Sequence, residues 1–366
     1  MPDADNLYVE RTFNNYSLTV KKVSFMSEQP SFPISGMAPA DETTGRYIIT
    51  FREDAVTEGL AMLSDQAGIT GLLSAADFPD SAMDLNQLEA AGGGVFPTLG
   101  IAVVSLDEGA LNNVMTVAGE DSAILAVEPE RIFYAIGDGL PADYLRGYRD
   151  AVNHLYEKTT TAELSPELGT EACFSDDAQS TWGLKATKVV TSRYTGKGMK
   201  VAVLDTGFDL QHPDFKGRSI VSKSFVPGLS VQDGNGHGTH CIGTACGFKD
   251  VNGRRYGIAY ESTIYVGKVL NNSNPATGLT SWILAGMEWA IANGCQVISM
   301  SLGAPIPTPS TAYETVGNLA LRRGCLIVAA AGNNGLFPPP NNTVGQPANS
   351  PSIMAVAAVN NCLVVA

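Results

Sequence analysis

Charged residues are scarce in this 366-residue sequence, and basic residues are the scarcer kind. Only 16% of the residues are charged, with 23 Lys and Arg against 37 Asp and Glu, for a net charge of −14. Nucleic-acid binding needs a basic surface that neutralises phosphates, so this balance argues against a nucleic-acid partner. No apolar run approaches the roughly 18 residues needed to cross a bilayer, so no membrane partner is expected either.

Cysteine is also sparse, and its spacing argues against a zinc site. The chain has six cysteines and no Cys-x-x-Cys pair, whereas structural zinc sites usually take their ligands from such closely spaced pairs. Two of the six, Cys295 and Cys325, each begin a predicted strand. A disulfide between them and two reduced, buried thiols are both compatible with that placement.

A glycine-rich stretch at residues 233–246 holds the most distinctive histidine. It reads Asp-Gly-Asn-Gly-His-Gly-Thr-His-Cys-Ile-Gly-Thr-Ala-Cys and predicts a loop that runs into a helix of small residues. His237 lies where the loop becomes helix, and its glycine neighbours would let a substrate backbone come close. Taken alone, this stretch is better explained as a glycine-rich turn with an incidental histidine.

Two further stretches predict buried strands that lead into a polar residue. Residues 199–205 read Met-Lys-Val-Ala-Val-Leu-Asp, and residues 325–333 read Cys-Leu-Ile-Val-Ala-Ala-Ala-Gly-Asn. Such apolar runs are typical of a parallel sheet covered on both faces, which places Asp205 and Asn333 at the ligand-binding carboxyl edge. There a carboxylate can orient a histidine and an amide can donate to an oxyanion. The alternatives are a helix N-cap for Asp205 and an ordinary turn for Asn333.

In this order, the three stretches closely resemble the subtilisin-like serine proteases. The resemblance implies that Asp205 orients the catalytic histidine, that His237 is the general base and acid, and that Asn333 donates to the oxyanion. Cys241, directly after Gly-Thr-His, resembles the branch typified by proteinase K, where a free cysteine lies under the catalytic histidine. The resemblance extends from about Trp182 to the end of the chain.

The family resemblance also implies where a peptide substrate would bind. Two short segments, Ser301–Gly303 and Ala330–Gly332, each follow a predicted strand and consist mostly of residues with small side chains. In the family such segments form the walls of the specificity pocket. A peptide could add to them as an extra strand, with residues 274–280 as a second rail. The expected pocket is apolar and permissive, and its residues are Ser301, Leu302, Gly303, Ala330, Ala331, Gly332 and, on the second rail, Gly278.

No cofactor is needed for the chemistry that the resemblance implies, but structural calcium is common in the family. Asp214, or the loop at residues 250–252, could contribute a calcium ligand. The spacing of these residues does not define a site.

The nucleophilic serine that the family carries in a Gly-Thr-Ser-Met-Ala motif is absent. No Gly-Thr-Ser occurs in the chain, which ends 33 residues past Asn333. Ser350 and Ser352 precede a predicted strand and are not accepted as substitutes. We therefore expect a truncated serine endopeptidase precursor whose triad serine lies beyond Ala366, with the chain as given inactive. The alternative is a non-catalytic, peptide-binding relative that lacks the nucleophile.

Residues 46–136 predict a separate small domain. Strands are expected at 47–51, at 101–106 and within 123–135, the last broken by Pro129, with helices at 55–67 and 108–117. The pattern resembles the ferredoxin-like α+β propeptide that inhibits subtilisin-like proteases in cis, and Glu128 and Glu130 are expected near helix N-termini of the protease. An independent binding module is the alternative.

The remaining segments complete the predicted organisation. Residues 1–45 form a polar tail without the pattern of a signal peptide, and residues 137–180 form a connector with a processing site and a short helix at 144–158. Residues 181–366 alternate strands and helices, which predicts an α/β domain with a doubly wound parallel sheet. Strands are expected near 199–204, 263–269, 296–301, 326–331 and 353–359, and helices near 238–246, 281–293 and 311–323. Thr280 or Ser281 is expected to cap the second of these helices at its N-terminus. A secreted, extracellular location follows from the resemblance alone.

Overall fold

The computed structural model describes residues 42–77, 87, 91–137, 173–333 and 343–364, which all belong to one unit of the chain, Gly36–Ala366. Most of the predicted tail 1–45, most of the connector 137–180 and its helix at 144–158 lie outside the described residues. Two sheets organise the described part. None of its helices is both long enough and apolar enough to cross a bilayer.

The first sheet is built mainly from the N-terminal third of the chain. Its elements are β1 (Thr43–Phe51), α1 (Val56–Ala67), β2 (Leu73–Ser74), β3 (Gly93–Phe96), β4 (Ile101–Ser105), α2 (Glu108–Val117) and β5 (Ile124–Ala135). The strands lie in the order β2-β3-β4-β1-β5, and every pair except β2–β3 is antiparallel. Alternate residues of β1 face opposite sides, so Ile49 packs with Leu63 and Val114 of the helices while Ile48 faces the second sheet's core. The ferredoxin-like assignment remains a prediction.

The predicted break at Pro129 is wrong, because β5 runs unbroken through it. Pro129 lies opposite Tyr47 of β1, next to a register shift between the Thr43 and Tyr47 pairings. On its other side β5 gains a neighbour only from Ile132 onward. Proline lacks a donor but is tolerated where a strand has an open side or an irregular ladder, and both conditions hold here.

The second sheet comes from the second half of the chain, where strands alternate with helices. Its strands are β6 (Lys200–Asp205), β7 (Ile220–Ser224), β8 (Thr263–Lys268), β10 (Val297–Met300), β12 (Leu326–Ala330) and β13 (Met354–Val356). They lie in the order β13-β12-β10-β6-β8-β7, and all neighbours are parallel. The principal helices are α3 (Trp182–Ala186), α4 (His237–Cys246), α5 (Thr280–Ala292) and α6 (Thr311–Arg322). The predicted parallel α/β sheet is confirmed; β7 and α3 were not predicted.

Two short strands join the sheets through the end of β5. Strand β9 (Thr277–Leu279) pairs with Ile132–Tyr134, and β11 (Leu302–Gly303) pairs with Tyr134 and Ala135, both antiparallel to β5. The last residues of β5 therefore lie between β9 and β11, two strands from the second half of the chain. Phe133 of this segment is fully buried and contacts the Tyr313 ring edge-on, with centroids 5.5 Å apart.

The cysteines form one disulfide, and it is not the pair considered from sequence. Cys173 is bonded to Cys362, while Cys295 and Cys325 are buried free thiols. Strands β10 and β12 pair Val297 with Leu326, so the two thiols are offset by one residue and do not face each other in register. Of the two possibilities considered from sequence, a disulfide or two reduced thiols, the structure has reduced thiols at Cys295 and Cys325.

Candidate active site

Asp205 and His237 meet at the carboxyl edge of the second sheet. Asp205 is the last residue of β6 and is 1% exposed, and His237 is the first residue of α4 and is 6% exposed. The Nδ1 atom of His237 lies 2.7 Å from Oδ1 of Asp205, which also accepts a hydrogen bond from the Thr206 amide at 2.7 Å. The predicted contact between carboxylate and imidazole is present.

Glycines allow the start of α4 to come this close to the end of β6. Gly236, with φ of 105°, turns the chain into the helix in a conformation that side chains rarely adopt. Gly238 packs on the turn after Asp205, because a Cβ atom there would lie 2.3 Å from the carbonyl oxygen of Gly207. The glycines that made this stretch look like an ordinary turn are what brings the histidine to the carboxylate.

The Asp205 carboxylate stabilises the imidazolium form of His237, the form that a general base reaches after it takes a proton. Burial alone would lower the pKa of His237, but its hydrogen bond to the Asp205 carboxylate raises that pKa above the ordinary value. Cys241 lies one helical turn further, with Sγ 3.8 Å from Nδ1 and 3.9 Å from Nε2, so the sulfur sits against the imidazole ring. Burial raises the pKa of the Cys241 thiol, which keeps it neutral.

The other ring nitrogen faces the chain that leaves β5. Nε2 of His237 lies 3.1 Å from the carbonyl oxygen of Ile136, and the Ile136 amide donates to the carbonyl oxygen of Ser301 at 2.8 Å. A Cβ atom on Gly303 would lie 2.7 Å from Cδ1 of Ile136, so the isoleucine side chain fills the space that this glycine leaves. Gly278 lies on the opposite rail, paired with Phe133. Four of the predicted pocket residues, Gly278, Ser301, Leu302 and Gly303, thus contact one extended segment of the chain itself.

Two carboxylates of β5 hold the helices behind the site. Glu128 accepts hydrogen bonds from the Thr311 and Ala312 amides, at 3.2 and 3.0 Å, at the start of α6. Glu130 accepts one from the Ser281 amide at 3.1 Å, at the start of α5. Helix N-termini carry unpaired amides and a partial positive charge, so both contacts are favourable.

The expectation that Thr280 or Ser281 caps α5 is therefore wrong. The N-cap position is Leu279, which makes no side-chain cap bond, and the Thr280 hydroxyl is bonded to the backbone of Arg131. The capping acceptor comes from Glu130, about 150 residues away in sequence. A local motif cannot reveal a cap supplied by another strand.

The remaining predicted site residues lie at the end of β12. Asn333 is exposed and follows β12 by three residues, after Gly332 with φ of 112°. Ala330, Ala331 and Gly332 are half-buried, and the Ala331 amide bonds to the Val356 carbonyl of the next strand. Strands β12 and β6 are parallel with β10 between them, so this group shares the sheet edge with Asp205 but has no described contact with the Ile136 segment.

The carboxylates considered as calcium ligands, Asp214 and Asp250, already accept hydrogen bonds from other groups of the protein. Asp250 accepts from the Asn252 and Arg254 amides, and Arg254 bridges Asp250 and Asp176 at 3.3 and 3.2 Å. Asp214 accepts from the Tyr256 hydroxyl at 2.9 Å. Calcium needs six to eight oxygen ligands. In the described ranges the one cluster of three His, Cys, Asp or Glu ligands is Asp205, His237 and Cys241. Calcium binding at the two loops stays a prediction.

Asp233 and Lys268 are the residues of this region whose role sequence reasoning missed. Both fall inside the region from about Trp182 onward that carries the resemblance, but the sequence did not indicate a function for either. Asp233 precedes the helix of His237 by four residues, a spacing that could have suggested a capping carboxylate. Lys268 is fully buried. Its burial could not be predicted from its place at the end of an apolar strand, because lysine is rarely buried.

Comparisons with known proteins relate the second half of the chain to one family. Residues 196–363 match the Subtilase family. The chain is 44% identical to subtilisin of Bacillus pumilus over 180 residues, which is 49% of this chain and 62% of that protein. It is 44% identical to subtilisin E of Bacillus subtilis (strain 168), covering 49% of this chain and 45% of that protein. An alkaline protease of Alkalihalobacillus alcalophilus is 40% identical over 215 residues, 56% of this chain and 52% of the relative.

A solved structure extends the likeness in fold to the N-terminal region. Fervidolysin of Fervidobacterium pennivorans superposes with a TM-score of 0.55 and 18% identity, over 93% of this chain and 48% of that one. At this identity the likeness concerns the fold alone. The chain spans about half to three-fifths of the length of the relatives it matches.

Proposed function

Because residues 196–363 belong to the subtilase family, we propose that the protein is the precursor of a serine endopeptidase that hydrolyses peptide bonds through an Asp-His-Ser triad. The observation that carries this proposal is the buried Asp205–His237 hydrogen bond at a sheet edge where an extended segment reaches Nε2. This arrangement positions a base, its orienting acid and a peptide carbonyl together.

Each residue has a defined part in the proposed reaction. His237 removes the proton of the serine hydroxyl through Nε2 and later gives it to the leaving amine. Asp205 keeps Nδ1 protonated and stabilises the imidazolium that forms. Asn333, with backbone amides, donates to the oxyanion of the tetrahedral intermediate. The serine itself comes from protein outside these 366 residues, because the chain contains no Gly-Thr-Ser motif.

The N-terminal domain serves as the intramolecular inhibitor of this enzyme. Its β5 occupies both rails, with Ile132–Tyr134 on β9 and Tyr134–Ala135 on β11, so a substrate strand cannot add there. The carbonyl of Ile136 lies at His237, which makes Ile136–Gly137 the bond cut in maturation. Ile136 against Gly303 implies a preference for cleavage after aliphatic residues.

In this proposal the protein is extracellular, and its substrates are other proteins or peptides. The Cys173–Cys362 disulfide supports the location, because disulfides form and persist mainly in oxidising compartments. The acidic net charge of −14 is consistent with no nucleic-acid partner.

The test uses the complete gene product and a casein hydrolysis assay. We expect His237→Ala to lower kcat by about 10⁶ and Asp205→Asn by about 10⁴, the losses typical of triad members. His240→Ala is the matched control, since His240 is exposed one turn along the same helix. Activity that survives His237→Ala would refute the proposal. A stop codon without a Gly-Thr-Ser motif would favour a peptide-binding relative instead.

Maturation is tested separately by N-terminal sequencing of the processed protein. We expect a new N-terminus at Gly137, and we expect Ile136→Asp to slow its appearance because a carboxylate would be buried against Gly303. A main cut elsewhere would refute the assignment of the bond without touching the assignment of the triad.

A further inference from the structure

We propose that Asp233 is a positioning residue that holds the turn after Asp205 against the start of α4, with Lys268 as the buried cation beneath both. The proposal rests on the proposed function, because its consequence is the geometry of the Asp205–His237 pair. Among the described residues the polar partners of the His237 ring are Asp205, Ile136 and Cys241, so Asp233 and Lys268 would act on it indirectly.

Asp233 is saturated with hydrogen bonds from both sides of the pair. Its Oδ1 accepts from the Thr206 hydroxyl at 2.9 Å and from the Asn235 and Gly236 amides at 3.0 and 2.8 Å. Its Oδ2 accepts from the Thr239 amide at 2.9 Å and from the Thr239 hydroxyl at 2.7 Å. One carboxylate thus binds the residue after Asp205 and the residues on both sides of His237.

Two hydroxyls extend this link in both directions. The Thr206 hydroxyl, while donating to Asp233, accepts from the Gly238 amide at 2.8 Å. The Thr239 hydroxyl, also donating to Asp233, accepts from the Asp209 amide at 3.0 Å. Each hydroxyl therefore needs the carboxylate as its acceptor, since a neutral amide oxygen could replace only part of this network.

Lys268 supplies the opposite charge from the neighbouring strand. In the parallel register it lies opposite Asp205, and its Nζ atom donates to the Thr206 carbonyl and, at 2.7 Å, to Oδ1 of Asn272. The same Asn272 oxygen accepts from the Gly234 amide at 3.2 Å. Lys268 therefore reaches both the turn after Asp205 and the loop that begins at Asp233.

Asp233 and Asp205 place two negative charges near the positive charge of Lys268, and these opposite charges favour one another. Burial would raise the pKa of Asp233, but hydrogen bonds from Gly236, Thr239 and Asn235 hold it below its ordinary value. Burial lowers the pKa of Lys268, while the negative charges of Asp233 and Asp205 favour its protonated form. A buried lysine beside two carboxylates is less costly than an unpaired one, and it offsets the second negative charge near the histidine.

The consequence is that Asp233 fixes the distance between two groups that it does not touch. If an amide replaces this carboxylate, at least one of the Thr206 and Thr239 hydroxyls loses its acceptor, and the start of α4 can move relative to β6. A displacement of about 1 Å in a catalytic pair costs on the order of 10²-fold in rate. The effect should fall on kcat, because the substrate rails β9 and β11 are held by other contacts.

The experiment follows the His237 Nδ1–H proton by NMR in the 366-residue chain, so that its outcome does not depend on hydrolysis. We expect Asp233→Asn to abolish or shift this resonance and to lower the His237 pKa. Asp209→Asn is the control: it makes the same chemical change nearby, but in the described part of the chain the Asp209 carboxylate accepts from Gln211 and Gln232 and not from the start of α4.

A second pair of variants covers the case in which Asp233→Asn does not fold. Thr206→Val removes the shared hydroxyl with little change in shape and should shift the resonance, whereas Thr206→Ser should restore it. In the complete gene product, Asp233→Asn should lower kcat at least tenfold with KM within about twofold of the parent. A normal Nδ1–H resonance and His237 pKa in both Asp233→Asn and Thr206→Val, with only a lower melting temperature, would overturn the proposal.

Discussion

The buried Arg46–Glu130 pair should dominate the attachment of the N-terminal sheet to α5, and Glu130→Gln tests this. Glu130 is fully buried and Arg46 nearly so, with Nη2 and Nε of Arg46 both 2.6 Å from Oε2 of Glu130. The Thr44 hydroxyl donates to the same oxygen at 2.7 Å, and Oε1 accepts from the Ser281 amide. Glutamine keeps the shape of the side chain but leaves the guanidinium buried without a counter-charge.

The expected loss follows from separating these contributions. Removing one partner of a buried ion pair typically costs about 3–5 kcal/mol. The bond to the α5 amide contributes only about 0.3–1 kcal/mol of helix-terminus stabilisation. In an Arg46→Met background the Glu130 carboxylate is already buried without its cation, so Glu130→Gln should then be neutral or stabilising, because it removes that unpaired charge. The difference between backgrounds, at least about 2 kcal/mol, is the coupling energy of the pair.

The assay is urea unfolding of the 366-residue chain, followed by tryptophan fluorescence. All three tryptophans, Trp182, Trp282 and Trp289, lie outside the N-terminal domain, and two are on α5 itself. Glu53→Gln is the control, since its pair with Arg322 is exposed and should contribute at most about 1 kcal/mol. Equal losses from Glu130→Gln in both backgrounds, or a loss as small as that of the control, would refute the reasoning.

Three further predictions concern the site and the loops around it. In the complete gene product, Asn333→Ala should lower kcat by on the order of 10²–10³ with little change in KM, as expected for a lost oxyanion donor; a loss confined to KM would instead assign Asn333 to ground-state binding. The 366-residue chain should take up no fluorophosphonate, because it lacks the Gly-Thr-Ser nucleophile motif; stoichiometric labelling of one serine would contradict this. Because Arg254 occupies the carboxylates of Asp250 and Asp176, chelation by EDTA should leave the melting temperature unchanged, whereas Arg254→Met should lower it by a few degrees; a large drop with EDTA alone would show that calcium binds after all.

The sequence by itself determined the elements that place the two central residues. The apolar run before Asp205 predicts a buried strand of a parallel sheet, and the glycines around His237 predict a loop that opens a helix. Both patterns are local, since side-chain periodicity and glycine conformation act within a few residues. The order of these stretches along the chain then indicated their family, and the contact between carboxylate and imidazole could be expected.

The sequence also predicted correctly that Glu128 and Glu130 meet helix N-termini. That expectation depended on the family resemblance, because neither glutamate has a local signal that names its partner. It missed that Arg46 and Thr44 bury Glu130, and it assigned the α5 cap to Thr280 or Ser281.

Only the tertiary structure decided the contacts between groups far apart in the chain. The Cys173–Cys362 disulfide joins residues 189 positions apart, and Asp233 binds Thr206 across 27. Strand β5 passes through Pro129 because its open side there needs no donor. Hydrogen bonds and ion pairs depend on distances of about 3 Å, which sequence patterns do not encode. A pattern fixes the direction in which a side chain points along its own helix or strand, whereas its partner is fixed only when the elements pack together.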